Sequence, residues 1–280
     1  RGGGTELVLR SLAPFLEADL GATIAVLNKP GASGEITYTA VSQAEADGYT
    51  ISSLNTPGFL TMQIGRTLGY DPKALCPIAR IVEDPGTFVV QAGSDINSLA
   101  DLVAKAKEAP GAISVATTGV GTDEHMALLQ LEKAAGIDLT PVPFEGANEA
   151  KTALLGGHVQ VIGLNVGEAM SSDPNAFKVL AQFGGVRSTL APDLPTATEA
   201  GFDVIMSSER GMMTRCDVPE ETRARLSAAV EKALADPAFL EVAKQQGLPL
   251  AYLSGADWTA AMPARLARFE EIFKLVEADK

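Results

Sequence analysis

The sequence predicts an α/β fold, and three observations carry that prediction. Short apolar segments alternate with stretches of helical periodicity, the signature of βαβ crossovers and a largely parallel sheet. This alternation runs once through the first third of the chain and restarts near residue 113. The length, 280 residues, suits two compact units or one large one. A hydrophobic fraction of 46% with 20% charged residues is that of an ordinary globular protein and excludes disorder for most of the chain.

The first residues, Arg1-Gly2-Gly3-Gly4-Thr5-Glu6, lead directly into a helix marked by Leu7, Leu9, Leu12, Phe15, Leu16 and Leu20. Pro14 inside it deletes one hydrogen bond and bends the axis. A glycine turn opening a helix normally follows a strand and aims main-chain N–H groups and the positive helix end at an anion. The strand is missing here, so the sequence is expected to begin inside a domain, with that strand and any export signal absent from the given chain.

Gly21 suits a helix C-cap, and residues 23–27 read as a strand, 30–34 as a loop and 35–44 as a helix. Asp47-Gly48 marks a turn before a strand over 49–54, and Asn55-Thr56-Pro57-Gly58 is a polar loop into another helix. Strands follow over 78–82 and 87–91, and Ser98 caps a helix running to Lys107. The second series comprises strand 113–117, helix 123–135, strand 139–144, helix 148–155 and strands 159–164 and 177–183. Residues 159–164 are almost continuously apolar, as a strand covered on both faces must be. The apolar segment 202–213 is long enough to carry the chain between units, and Pro219-Glu220-Glu221 opens a fresh helix. A last helix spans about 258–276, with Leu266, Phe269, Ile272, Phe273 and Val276 on one stripe.

Lys plus Arg number 22 against 35 Asp plus Glu, and 22 − 35 gives −13, a charge that repels a phosphate backbone. Nucleic acid is therefore not an expected partner. No stretch approaches the roughly 20 apolar residues that cross a bilayer. His125, His158, Cys76 and Cys216 are too few for a structural metal centre, and none is expected. A Cys76–Cys216 bridge and two buried thiols are equally compatible with the sequence.

The most informative chemistry lies in Ala116-Thr117-Thr118-Gly119-Val120-Gly121-Thr122-Asp123-Glu124-His125, between a strand and a helix. Its glycines permit close main-chain approach, and Thr117, Thr118 and Thr122 offer hydroxyl donors to a carboxylate. As a dinucleotide fingerprint it fails, because Glu124 occupies the third glycine position, and a Walker loop fails for lack of Gly-Lys-Ser/Thr. His125 reads as a general base or as a polar residue of a first helical turn, the second being favoured. Pro30-Gly31-Ala32-Ser33-Gly34 lacks the spacing of a nucleophile elbow, and no catalytic triad can be assembled. Phe144-Glu145-Gly146, Asn165 and Ser207-Ser208 fall at strand ends, where ligands of open α/β folds sit.

In order and spacing, Gly2-Gly3-Gly4-Thr5-Glu6, Asn28-Lys29-Pro30-Gly31-Ala32-Ser33-Gly34 and Ala46-Asp47-Gly48-Tyr49-Thr50 resemble the solute-binding proteins of tripartite tricarboxylate transporters, the Bug family. Thr118-Gly119-Val120-Gly121 with His125, Val142-Pro143-Phe144-Glu145-Gly146, Leu154-Leu155-Gly156-Gly157, Leu194-Pro195-Thr196 and Glu199-Ala200-Gly201 extend the resemblance over practically the whole chain. It implies a two-domain type II periplasmic-binding-protein clamshell, each domain a mostly parallel sheet flanked by helices. Domain 1 would comprise 1–90 plus 209–280, lacking its first strand, and domain 2 would comprise 91–208.

The implied function is extracytoplasmic capture of a small organic carboxylate in the interdomain cleft and its delivery to a membrane permease, without catalysis or cofactor, by a periplasmic monomer. By matching positions, the implied ligand-binding residues are Gly3, Gly4, Thr5, Asn55 and Thr56 on one side. Thr117, Thr118, Gly121, Thr122, Phe144, Glu145, Gly146, Gly163, Asn165 and Ser207 form the other. Charge-assisted hydrogen bonds worth about 1.5–3 kcal/mol each suffice for the roughly 8 kcal/mol of a micromolar complex. Glu145 stands where many relatives have Lys, which favours a mono- or dicarboxylate over citrate. Two alternatives belong to other classes: an α/β enzyme acting on a carboxylated metabolite through His125, and the effector module of a transcription regulator. The charge of −13 and the absence of a helix-turn-helix weigh against the regulator.

Overall fold

In the computed structural model, residues 4–29 and 34–278 are described. In chain order the elements are α1 (Gly4–Leu20), α2 (Glu35–Ser42), β1 (Ser52–Thr56), α3 (Gly58–Thr61), β2 (Leu75–Gln91), α4 (Leu99–Glu108) and β3 (Ser114–Thr117). There follow α5 (Asp123–Ala135), β4 (Thr140–Pro143), α6 (Ala147–Leu155), β5 (Val161–Asn165), α7 (Val166–Met170) and β6 (Phe177–Gln182). The chain finishes with β7 (Ser207–Arg215), α8 (Glu220–Leu234), α9 (Pro237–Gln245), β8 (Leu250–Ser254) and α10 (Gly255–Ala278). Two compact units result: unit 1 is Arg1–Glu83 with Glu209–Glu270, and unit 2 is Asp84–Ser208 with Glu271–Lys280.

Unit 1 buries one stripe of α1, carrying Val8, Leu12 and Leu16, against Ala229 and Val230 of α8 and Phe239 of α9. Phe15 meets Phe239 edge to face at 5.3 Å. Each large apolar side chain so buried contributes about 1.5–3 kcal/mol, which offsets the hydrogen bond that Pro14 withholds from α1. Beneath the helices, β1 runs antiparallel to β7, with Thr56 opposite Glu209, and β8 runs antiparallel to the first part of β2. Cys76 of β2 and Cys216, just after β7, form a disulfide with their Cα atoms 4.8 Å apart.

In unit 2, β3 lies between β4 and β5 and runs parallel to both. The second part of β2 runs antiparallel to β5 and to β6. Val89, Ala116, Ile162 and Leu164 from these strands pack on Ala150 and Leu154 of α6. Helix α5 is buried throughout 123–131, which is why its apolar residues surround it rather than forming a stripe.

The α/β class stands, but the sheets are mixed rather than mostly parallel. Of the pairings just described, only those of β3 with β4 and β5 are parallel. Residues 23–27 form no strand: the Ile24 N–H is taken by the Glu17 carboxylate at 2.6 Å, and Leu27 is 78% exposed. That segment is tied to α1 by a side chain instead of joining a ladder. The strands expected over 78–82 and 87–91 are one strand, β2, continuous through Pro85. Helix α9 and strand β8 were not among the expected elements, although Asp236-Pro237 is a good start signal. The Asp236 carboxylate accepts the Ala238 N–H at 2.8 Å, with Pro237 in the first turn.

Candidate functional site

Within unit 2 the parallel register decides which predicted residues come together. Thr117 pairs with Pro143, and Ala116 pairs with Ile162, so β3, β4 and β5 end at one edge. The segment Thr117 to Thr122, Phe144 to Gly146, and Gly163 to Asn165 therefore gather at the carboxyl ends of adjacent parallel strands, the position that α/β sheets use for ligands. The Phe144 N–H donates to the Thr117 carbonyl at 2.8 Å and ties two of these ends together. Ser207 is half-buried at the start of β7.

The turn between β3 and α5 is held by its own groups. Gly119 and Gly121 have φ of 133° and 79°, a region that favours glycine. The Gly121 N–H donates to Nδ1 of His125 at 3.0 Å, and the Thr122 hydroxyl donates to the Gly119 carbonyl at 2.9 Å. His125 is thus a structural member of the turn, with Phe273 edge-on at 6.4 Å. Thr118 Oγ1 lies 2.8 Å from the Glu124 carboxyl. Glu124 is buried, and its pKa is pushed up to about 8, chiefly by that burial and then by the neighbouring Asp123; hydrogen bonds from Thr122 and Thr118 act in the opposite sense.

Some expected contacts have other partners. Thr117 is buried, with its hydroxyl 3.5 Å from the Gly119 carbonyl. The Asn165 amide donates to Asp123 at 2.6 Å and to the Asp84 carbonyl at 3.2 Å. Gly163 lies directly beneath the Glu124 side chain, with no room for a Cβ. Glu145 is exposed, where water screens its charge.

Within unit 1, the Asn55 amide on β1 donates to the Thr5 hydroxyl in the first turn of α1 at 2.7 Å, while Asn55 Oδ1 is buried without a hydrogen-bond partner. Beside them stands Arg210 of β7, buried and opposite Asn55 in the strand register. A Cβ at Gly4 would lie 3.0 Å from the Arg210 guanidinium carbon, so only glycine starts α1 without crowding this cation. Gly3 lies outside the described residues, as do Arg1, Gly2 and residues 30–33.

Thr56 is drawn into a separate buried cluster. Its hydroxyl donates to Glu209 at 2.7 Å, as does the Trp258 indole N–H at 3.2 Å, and Arg80 and Arg265 both form ion pairs with the same carboxylate. Arg80 also pairs with Glu83 at 2.7 Å, so two guanidinium groups face two carboxylates. Burial and the neighbouring Arg80 hold the Arg265 pKa below its ordinary value. Arg210 and Glu209 are not expected from the sequence because 202–213 reads as apolar as a whole; two adjacent charges in such a segment are the available signal. Among the described residues no group of three or more His, Cys, Asp or Glu side chains could hold a metal ion. No helix there is long and apolar enough to cross a membrane.

The family model described as "Tripartite tricarboxylate transporter family receptor" matches residues 8–277. Protein BugT of Bordetella pertussis is 28% identical over 253 residues, covering 88% of this chain and 77% of that protein. Among solved structures, the periplasmic binding protein BugD is 30% identical with a TM-score of 0.85, over 98% of this chain and 93% of BugD. An R. palustris protein solved with adipate is 25% identical with a TM-score of 0.87, over 97% and 92% of the two chains.

Proposed function

The chain belongs to the tripartite tricarboxylate transporter receptor family, whose members are solute-binding receptors and not enzymes, and from that membership we infer that it captures a small organic mono- or dicarboxylate in the periplasm for a membrane permease. The observation that carries the inference is the gathering of glycine- and hydroxyl-bearing segments at the carboxyl ends of β3, β4 and β5. Adipate in a relative of the same fold supports a linear dicarboxylate as the ligand class.

Thr118 is proposed as the hydroxyl donor of unit 2; Gly121 and Thr122, whose N–H and hydroxyl are engaged within the turn, are proposed to shape the main chain that the acid approaches, with Phe144, Gly146 and Ser207 lining the same edge. In unit 1 the proposed contacts are Gly4, Thr5 and Asn55. Thr56, Thr117, Gly163 and Asn165 are assigned supporting roles, because each is engaged within its own unit.

Thermal-shift and calorimetric titration with a panel of mono-, di- and tricarboxylates tests this function, alongside NMR of the added acids. A receptor gives a raised Tm with at least one acid and leaves that acid unchanged on prolonged incubation. Steady consumption of an acid, or no Tm rise with any of them, overturns the proposal.

A further inference from the structure

An anion-binding turn in which buried carboxyls stand side by side poses an electrostatic problem. Asp123 and Glu124 open α5 directly behind the turn, 8% and 4% exposed, and an ionised carboxylate there opposes an incoming acid in a medium that screens poorly. The two differ in their partners. Asp123 accepts a hydrogen bond from the Asn165 amide, a donor whatever the pH. Glu124 meets the hydroxyls of Thr122 and Thr118, the latter at 2.8 Å, and a hydroxyl can act as donor or acceptor.

We propose that Glu124 is a positioning residue that couples ligand capture to a proton: as a neutral acid it donates to Thr118 Oγ1 and leaves the Thr118 hydroxyl hydrogen for the bound carboxylate. When Glu124 loses its proton, the bond reverses. The Thr118 hydroxyl then donates to the Glu124 carboxylate, the ligand loses that donor, and a negative charge stands beside it. The proton goes to solvent on ionisation and returns from solvent on binding, so no other reactant is involved. This inference rests on the receptor function proposed above.

The surroundings of Glu124 supply little to stabilise its charge. From its own helix come Asp123, which disfavours ionisation, and His125, whose Nδ1 is taken by Gly121. The turn contributes the hydroxyls of Thr118 and Thr122, and the main-chain N–H of Glu124 adds a third hydrogen bond; all three favour the ionised form, and burial outweighs them. From β5 it meets Gly163, and no residue of Val161–Asn165 carries a charge. Behind Asn165, β2 presents the main-chain carbonyl of Asp84, whose carboxylate accepts the Gly167 N–H at 3.1 Å. Among the described residues no lysine or arginine is among the causes of its shift, which is upward from the usual carboxylate range through burial and Asp123.

Adipate binding measured by calorimetry between pH 6 and 9.5 tests the coupling. For one linked proton, affinity falls by up to about tenfold per pH unit above the titration of the free protein, with uptake of up to about one proton per acid bound. Glu124→Gln, whose neutral amide also donates to Thr118, is expected to keep the low-pH affinity and lose the slope. A wild-type profile flat across pH 8, or an unchanged slope in Glu124→Gln, overturns the proposal.

Carbon-13 NMR of glutamate-labelled wild-type protein provides a measurement that depends on neither ligand nor variant stability. A glutamate carboxyl titrating near pH 8 is expected, and titration of every glutamate in the ordinary range overturns the proposal. Absence of binding at every pH, together with a carboxyl titrating near pH 8, instead tells against adipate as ligand. If the whole acid panel then also fails to bind, the receptor function falls, and the proton coupling falls with it.

Discussion

The main-chain N–H of Gly121 donates to Nδ1 of His125, four residues on, so a side chain of α5 fastens the turn from which that helix springs. Replacing His125 with Ala removes the acceptor of a buried N–H. A loss of about 1–3 kcal/mol in urea unfolding is expected, with acid affinity reduced by no more than about tenfold. Complete loss of binding in a folded His125→Ala protein would give the imidazole a direct ligand role.

Gly121→Val is the harsher change. At φ 79° a β-branched residue is strained by about 1–3 kcal/mol, and its side chain stands where the acid approaches the main chain. Binding is expected to vanish at acid concentrations that saturate the wild type, with Tm lowered by several degrees. Retained affinity would move the ligand away from this turn.

The Cys76–Cys216 bridge closes a chain separation of 140 residues. The double substitution to Ser is expected to lose about 2–5 kcal/mol, read as a lower denaturation midpoint. Wild-type protein unfolded in the presence of a reductant should match it, and identical midpoints with and without reductant would argue that the bridge contributes nothing.

Buried Glu209 holds two guanidinium groups in unit 1, that of Arg80 nearly buried and that of Arg265 one-third exposed. Glu209→Gln deprives Arg265 of its carboxylate and leaves Arg80 with Glu83, and with Arg265 partly exposed a loss of about 1–3 kcal/mol is expected. The measurement is denaturant unfolding, and a cost under 1 kcal/mol would mean that water reaches the cluster.

Stability should also depend on pH through Glu124. Its folded pKa is raised from 4.5 to about 8, so its contribution is fully present below pH 4.5 and is lost as pH rises to about 8, at up to about 1.4 kcal/mol per unit. Asp19, Asp95, Glu199 and Asp217 are held below their ordinary values by neighbouring Lys or Arg side chains, so they stay ionised across this window. Unfolding at pH 5 and pH 9 should show a larger decline in wild type than in Glu124→Gln, and equal declines would contradict the assignment.

What the sequence disclosed, and what it hid, follows from the range of the interactions. Helix α5 begins at Asp123 and ends at Ala135, as its local signals imply, and Ser98 caps α4 by accepting the Asp101 N–H. The turn around Gly119 and Gly121 was legible because left-handed backbone is written in glycine. Arg210 beside Gly4 was not, since these residues meet only through folding, and neither was the hold of Glu17 on Ile24 that keeps 23–27 out of the sheet. Strand direction was misjudged for the same reason: antiparallel pairing of β2 with β5 and β6 depends on distant partners that periodicity does not reveal.

Trp258 is the chain's single tryptophan, wholly buried in unit 1 with its indole bonded to Glu209. Nature has thereby installed a fluorophore in one half of the molecule and none in the other. A change in emission during melting belongs to unit 1, whereas a change visible only in far-ultraviolet ellipticity belongs to unit 2, so unlabelled protein suffices to tell which half yields first.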